Sequence, residues 1–331
     1  MKKTMILLFL ACMLVVSGCS ANSSNQNAGS NSNGNGTEAE GGNQAAGTDS
    51  VKIGYVINTL NNPFFVSVKD SAEKEAEEVG TKLSVVNANN DIATQLSGVE
   101  DLIQQGIDVL ILDPVDSAGA LPAIQAANDA GVKVITTGRM VEGAEIVTHL
   151  GYNEVKHGKE AGWFLAEALG GSGKIVELQG VMGTSTAQER SQGFQEAMAD
   201  YPDIEILSSQ SANFDRAEGL TVMENLLQAH SEIDGVYAAN DEMALGALQA
   251  IEAANRNGIV IVGNDGTIDA FHAIQEGRIA GTMAIYPNQY GEKAIQIALQ
   301  VANGENVKEL IELPSIFVSE ENVEEALSMQ E

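Results

Sequence analysis

The chain has 331 residues, 44% of them hydrophobic, with 17 lysines and arginines against 46 aspartates and glutamates, a formal charge of −29. That length supports one large core or two smaller ones. The acidic balance repels phosphate backbones and anionic bilayers, which excludes nucleic acid as a partner, and the surplus of carboxylates reads as a solvated surface.

At the start of the chain Lys2 and Lys3 precede an apolar run, Met5 to Val16, too short to span a bilayer comfortably, and Val16-Ser17-Gly18-Cys19 follows. A basic start, an apolar stretch and small residues before a cysteine resemble a bacterial lipoprotein signal; an ordinary secretory signal or a membrane anchor is the alternative. The resemblance implies that segment 1–19 is an address, that cleavage falls before Cys19, and that the Cys19 thiol takes a diacylglycerol. The mature chain would then sit at the outer face of the bacterial cytoplasmic membrane and touch it through the lipid anchor only. Cys12 leaves with the signal, so the folded part keeps no thiol for disulfide, metal or nucleophilic chemistry. Residues 20–50 are asparagine, glycine, serine and alanine with a few acids and cannot bury enough surface to offset ordering. They are expected to form a flexible tether with a reach of roughly 30 Å.

From Val51 short apolar runs alternate with amphipathic segments. Strands are predicted at Lys52 to Val56, Lys82 to Asn87, Asp108 to Leu112, Lys133 to Thr137, Ile146 to Leu150, Lys174 to Leu178, Ile204 to Ser208, Gly235 to Ala239, Ile259 to Val262 and Ile279 to Ala284. Helical spacing lies between most of them, as in Val66, Ala72, Ala76 and Val79, or Leu220, Met223, Leu226 and Leu227. Gly80, Gly106, Gly131 and Gly258 stand where helices should end ahead of strands. Repeated strand-helix units with β-branched strands predict an α/β fold with parallel sheets covered on both faces. The direct step from the Lys133 run to the Ile146 run is where a crossover to a second lobe is expected.

Motifs for catalysis are missing. The four histidines, His149, His157, His230 and His272, stand without partners at metal-ligand spacing. Gly170-Gly171-Ser172-Gly173-Lys174 follows a predicted helix and precedes a strand, the reverse of a phosphate loop, and lacks its first glycine and its closing Ser or Thr. No nucleophile elbow, metal site or cofactor motif appears, so an enzyme is not expected.

Polar and aromatic residues do gather at the carboxyl ends of predicted strands, where open α/β sheets bind ligands. Asn58, Asn62, Phe64 and Phe65 follow the first strand, Asp113 the third and Arg139 the fourth; Arg190, Phe214, Asn240, Asn264 and Asp265 take corresponding places in the second half. Singly, each has a structural alternative: Asn240 and Asp265 as helix caps, Phe64 and Phe65 as core, Arg190 paired with Glu189 or Asp200. Together they supply ring faces for C–H surfaces and planar polar groups for hydroxyls, the chemistry of a neutral sugar site.

Thr59-Leu60-Asn61-Asn62-Pro63-Phe64-Phe65-Val66-Ser67, Glu177-Leu178-Gln179-Gly180, Asn213-Phe214-Asp215-Arg216 and Asn240-Asp241-Glu242-Met243-Ala244-Leu245-Gly246-Ala247-Leu248 resemble the ribose-binding-protein-like periplasmic sugar-binding proteins, from about Val51 to Glu320. The resemblance implies two Rossmann-like lobes joined by a three-crossover hinge, with 51–152 plus 286–314 in the N-terminal lobe and 153–285 plus 315–331 in the C-terminal lobe. It implies a monomer that captures a pentose, a hexose or a related polyol without any cofactor and docks on an ABC permease. A sugar sensor docking on a chemoreceptor or sensor kinase is the alternative. Asn62, Phe64, Phe65, Arg139, Arg190, Phe214, Asn240 and Asp265 match the family's sugar contacts. Asn58, Asp113, Gly138, Asn264 and Ile285 depart from the ribose pattern, which has Ser, Asn, Asp, Phe and Gln there, and so point away from ribose itself.

Overall fold

The structure, a computed structural model, describes residues 50–329. The signal segment with Cys19, and the tether as far as residue 49, lie outside the described residues.

Strand β1 (Lys52–Ile57) alternates its side chains between two apolar clusters, Ile53, Tyr55 and Ile57 on one face and Val56 on the other. That is the period of two required of a strand covered on both sides. Helix α1 (Pro63–Val79) starts on Asn62, whose Oδ1 accepts the Phe64 amide at 2.8 Å, with Pro63 in the first turn where its missing N–H costs nothing. Then come β2 (Lys82–Asn87), α2 (Ile92–Gln104), β3 (Val109–Leu112), α3 (Leu121–Asp129), β4 (Lys133–Thr137) and β5 (Thr148–Gly151). The second series runs α4 (Glu154–Ala168), β6 (Ser172–Gln179), α5 (Ser185–Met198), β7 (Asp203–Ser211), α6 (Arg216–Ala229), β8 (Gly235–Ala238), α7 (Asp241–Ala253), β9 (Val260–Asp265), α8 (Ile268–Gln275) and β10 (Gly281–Ala284). The chain ends with α9 (Pro287–Ala302), β11 (Leu310–Glu312), β12 (Ile316–Ser319) and α10 (Val323–Ser328).

Two six-stranded sheets result, in the orders β11-β5-β4-β3-β1-β2 and β12-β10-β9-β8-β6-β7. Each sheet with its helices forms a lobe, and the chain passes between them after β5, after β10 and between β11 and β12. The step from β4 to β5, expected to leave the first lobe, does not: the two strands pair in parallel, Ile135 opposite Thr148 and Thr136 opposite His149. Residues 138–147 climb back over the sheet edge, tied by the Val147 amide to the Val134 carbonyl at 2.8 Å. β11 and β12 are additions to the predicted strands. β12 runs antiparallel to β10, with Ala284 opposite Ile316 and Gly281 opposite Ser319, at the edge of the second sheet.

Helices α1 and α9 cover one face of the first sheet, where Val68, Ala72, Tyr290 and Ile295 meet Ile53, Ile111 and Ile135. Leu102 and Ile124 cover Val56, Leu110 and Leu112 on the other face. Burial of each such Leu or Ile contributes roughly 1.5–3 kcal/mol. In the second lobe α4 and α5 touch backbone to backbone, since a β-carbon on Gly158 would overlap the Arg190 carbonyl and one on Gly193 the Val155 carbonyl. That contact sets Arg190 beside Glu154.

Candidate functional site

A cavity of about 300 Å³ is lined from the C-terminal ends of both sheets. The first lobe brings Asn58, which follows β1; Asn62, Phe64 and Phe65 at the start of α1; Asp113, which follows β3; and Arg139, which follows β4. The second brings Arg190 on α5, Phe214 ahead of α6, Asn240 at the cap of α7 and Asp265 at the end of β9. Asn264 does not line this cavity: it is fully buried behind Asp265, to whose Oδ1 its amide donates at 3.2 Å.

Capping and lining coincide at two asparagines. Asn62 caps α1, and Asn240 caps α7 by accepting the Met243 amide at 3.0 Å while its Nδ2 donates to the Phe214 carbonyl at 3.2 Å. Phe64 belongs both to the core around Tyr290 and to the cavity wall.

Arg190 pairs with neither Glu189 nor Asp200. Its Nε donates to Glu154 Oε2 at 2.6 Å, its Nη2 to Glu154 Oε1 at 3.4 Å, and its Nη1 to the Ala239 carbonyl at 2.7 Å and to Asp265 Oδ1 at 3.1 Å. Burial works against charge on Glu154, but the Arg190 guanidinium outweighs it and holds the carboxyl down at about 2. Asp265 is pushed up to about 6, burial prevailing over the same guanidinium. Its backbone is strained, at φ 124, a conformation that surrounding structure must impose.

On the other wall Arg139 gives its Nη1 to the carbonyls of Pro114 at 2.6 Å and Val115 at 2.9 Å. Burial pushes Asp113 up to about 7, with Arg139 pulling the other way. Neither Asp113 Oδ1 nor Asn58 Nδ2 has a hydrogen-bond partner among the described residues, although both are buried. Buried polar groups of this kind are normally satisfied, so the pair offers an acceptor and a donor to a ligand. Asn58 Oδ1 is already taken by the Thr59 amide at 2.5 Å.

Phe214 stands at φ 60 and Asn213 at φ 51, a left-handed pair that an aromatic residue rarely joins. The turn is held by Asn213 Nδ2 to Glu218 Oε2 at 2.7 Å and by the packing of the Phe214 ring on Gly180, where a β-carbon would overlap it.

Several lining residues escaped the sequence reading. Tyr152 and Glu154 follow β5 just as Asp113 follows β3, so the strand-end rule that selected the others applies to them too. Arg216 and Glu242, joined at 2.9 and 2.6 Å, sit at helix starts inside quoted strings. Tyr290 lies within α9, where no strand end marks it.

Two α/β lobes that converge aromatic faces, amides and charged groups on one cavity define a solute-binding protein. The chain belongs to the periplasmic binding protein domain family, whose model matches residues 53–306. It is 44% identical over 256 residues to the ribose import binding protein of Escherichia coli, covering 77% of this chain and 86% of that one. Among solved structures it is similar to an ABC transporter solute binding protein of Bacillus halodurans with bound myo-inositol, with a TM-score of 0.81, 32% identity and coverage of 85% of this chain and 99% of that one. The fructose binding periplasmic domain of a hybrid two-component system matches with a TM-score of 0.79 and 27% identity, over 85% of this chain and 93% of that one. These relatives are binding proteins, and the chain is a sugar-binding protein of the ABC importer class, not an enzyme. Among the described residues no helix is long and apolar enough to cross a membrane.

Proposed function

We propose that the chain captures one neutral monosaccharide or polyol between two closing lobes, 51–152 plus 286–314 and 153–285 plus 315–331, and delivers it to an ABC permease while anchored through lipid on Cys19. The observation that carries this reading is the convergence of Asn58, Asn62, Phe64, Phe65, Asp113 and Arg139 from one lobe with Arg190, Phe214, Asn240 and Asp265 from the other on a single cavity. A ligand touching both walls favours closure, because only the closed state forms both sets of contacts.

Ribose is not the preferred ligand in this reading. Asn58, Asp113, Gly138 and Ile285 all line the cavity, so four departures from the ribose pattern face the ligand, whereas Asn264 does not. A site built to hydrogen-bond particular hydroxyls discriminates against analogues that leave its polar groups unpaired. Calorimetry with D-ribose beside D-allose, xylitol and myo-inositol tests this: tighter binding of another member is expected, and submicromolar ribose binding above all others would overturn it. Cys19→Ala is expected to release the protein from membranes or leave it unprocessed, and unchanged retention and processing would remove the lipid anchor from the proposal. Likeness to the two-component sensor domain supports a second reading, in which the closed form docks on a receptor; permease and ATPase genes beside this one would favour import.

A further inference from the structure

Gly138 turns the chain at φ 66, a conformation glycine adopts without strain, and presents no side chain to the cavity it lines. The space its β-carbon would take is ringed by oxygen. Tyr290 Oη lies 3.2 Å from that point and Asp113 Oδ2 lies 3.7 Å from it. Both parent residues line the cavity and both are almost wholly buried, Tyr290 at 2% and Asp113 at 1% exposure.

The direction of the phenol is fixed. Its only proton goes to the Leu150 carbonyl at 3.2 Å, and its ring is clamped between Phe64, with centroids 6.2 Å apart, and Tyr152, at 5.5 Å. With that proton committed and the Thr137 hydroxyl directed at the same oxygen, what Tyr290 still offers the cavity is a lone pair. Asp113 brings a carboxylate whose Oδ1 has no partner among the described residues. A ligand oxygen occupying the place of the missing β-carbon would be within hydrogen-bonding range of Tyr290 Oη, with the Asp113 carboxyl just beyond. The Tyr290 oxygen can be satisfied there only by a donor, and the Asp113 carboxyl beside it can accept from the same hydroxyl.

We infer that Gly138, Tyr290 and Asp113 form a hydroxyl-reading corner, with Tyr290 as a specificity-determining residue that requires a hydroxyl donor at one position of the ligand and rejects a deoxy or ether group there. The inference rests on the proposed sugar-binding reading. Gly138 is what keeps the corner open, since any β-carbon would crowd the phenol at 3.2 Å.

The test is calorimetry on the wild-type protein, Tyr290→Phe and Gly138→Ala, with D-ribose, D-allose, xylitol and myo-inositol, followed by the monodeoxy analogues of whichever binds best. Tyr290→Phe keeps the ring contacts, and the Leu150 carbonyl keeps the Gly138 amide as donor at 3.0 Å, so the variant should fold. One monodeoxy analogue should bind the wild type at least tenfold more weakly than its parent. Tyr290→Phe should bind that parent at least tenfold more weakly than the wild type does, and should no longer separate it from the analogue by more than about threefold. Gly138→Ala should bind the parent at least tenfold more weakly too. Wild-type affinity for the parent in Tyr290→Phe, or an undiminished deoxy penalty in that variant, would overturn the inference and leave the sugar-binding reading standing. Failure of the wild type to bind any of the four compounds would overturn both.

Discussion

The Arg190 guanidinium and the Glu154 carboxylate grip each other side on, Nε to Oε2 at 2.6 Å and Nη2 to Oε1 at 3.4 Å, with both side chains at most 5% exposed. Removing one partner of such a pair leaves an uncompensated buried charge, at a cost of about 3–5 kcal/mol. Arg190→Ala should therefore lower the unfolding free energy by about that amount in urea titrations, besides weakening sugar binding by about 2 kcal/mol or more. Adding Glu154→Gln should recover part of the lost stability. Strictly additive losses in the double variant would show that the two residues do not act as a unit.

How this pair arises shows where the sequence was readable. Arg190 was visible as a site residue because it belongs to a family pattern, but its partner was misjudged: Glu189 and Asp200 were the local candidates, whereas Glu154 lies on another helix, brought in by Gly158 and Gly193. Strand ends, helix caps and the parallel sheets follow from period and punctuation, so β1 to β10 and the walls at Asn58, Asp113 and Asn240 were legible. Tyr290 was not, because it reaches the cavity from inside a helix through the packing of α9 on α1. β11 and β12 were missed because three- and four-residue edge strands carry too little pattern.

Asp113 should make stability depend on pH. Its carboxyl is raised by burial from the usual 3.8 to about 7, so between those values the folded state holds a proton that the unfolded chain has lost. Stability is therefore greatest below about pH 4 as far as this group is concerned and falls as pH rises towards 7, by up to about 4 kcal/mol. Asp265, raised to about 6, acts in the same direction over a narrower window, and Glu154, lowered to about 2, acts oppositely below about pH 4.5. Urea unfolding at pH 4.5, 5.5, 6.5 and 7.5 should show a shallower decline for Asp113→Asn than for the wild type. An identical slope in the two proteins would mean Asp113 is not the titrating group.

Phe214 offers a way to separate strain from stacking. At φ 60 any side chain is disfavoured, and glycine alone is at ease. Phe214→Gly and Phe214→Ala both remove a ring from the cavity wall, so both should weaken sugar binding about tenfold. Only the glycine variant also relieves the backbone, so it should be the more stable of the two by about 1 kcal/mol in the same urea assay. Greater stability in the alanine variant would contradict the strained assignment of this turn.

The lobes also meet at the lip, away from most of the ligand contacts. The Ser117 amide donates to the Gly183 carbonyl at 3.0 Å, the Ser185 amide to Ser117 Oγ at 2.9 Å, the Met140 amide to Ser185 Oγ at 2.9 Å, and Thr186 Oγ1 to the Gly138 carbonyl at 3.1 Å. Ser117 and Met140 belong to the first lobe and Gly183 and Ser185 to the second, so these bonds exist only while the lobes are together. Each contributes about 1 kcal/mol net, and the apparent affinity of any ligand that needs the closed state scales with how much of that state is available. Ser185 touches no cavity wall, so Ser185→Ala should remove the acceptor for the Met140 amide without altering which hydroxyls are read. Apparent dissociation constants for all sugars that bind should rise by the same factor, about three- to tenfold, and their ratios should stay fixed. Solution scattering with saturating sugar should show the variant reaching the same compact radius of gyration as the wild type, but at higher sugar concentration. A change in the order of sugar preference, or unchanged affinity throughout, would show that the lip bonds do not set the closing equilibrium.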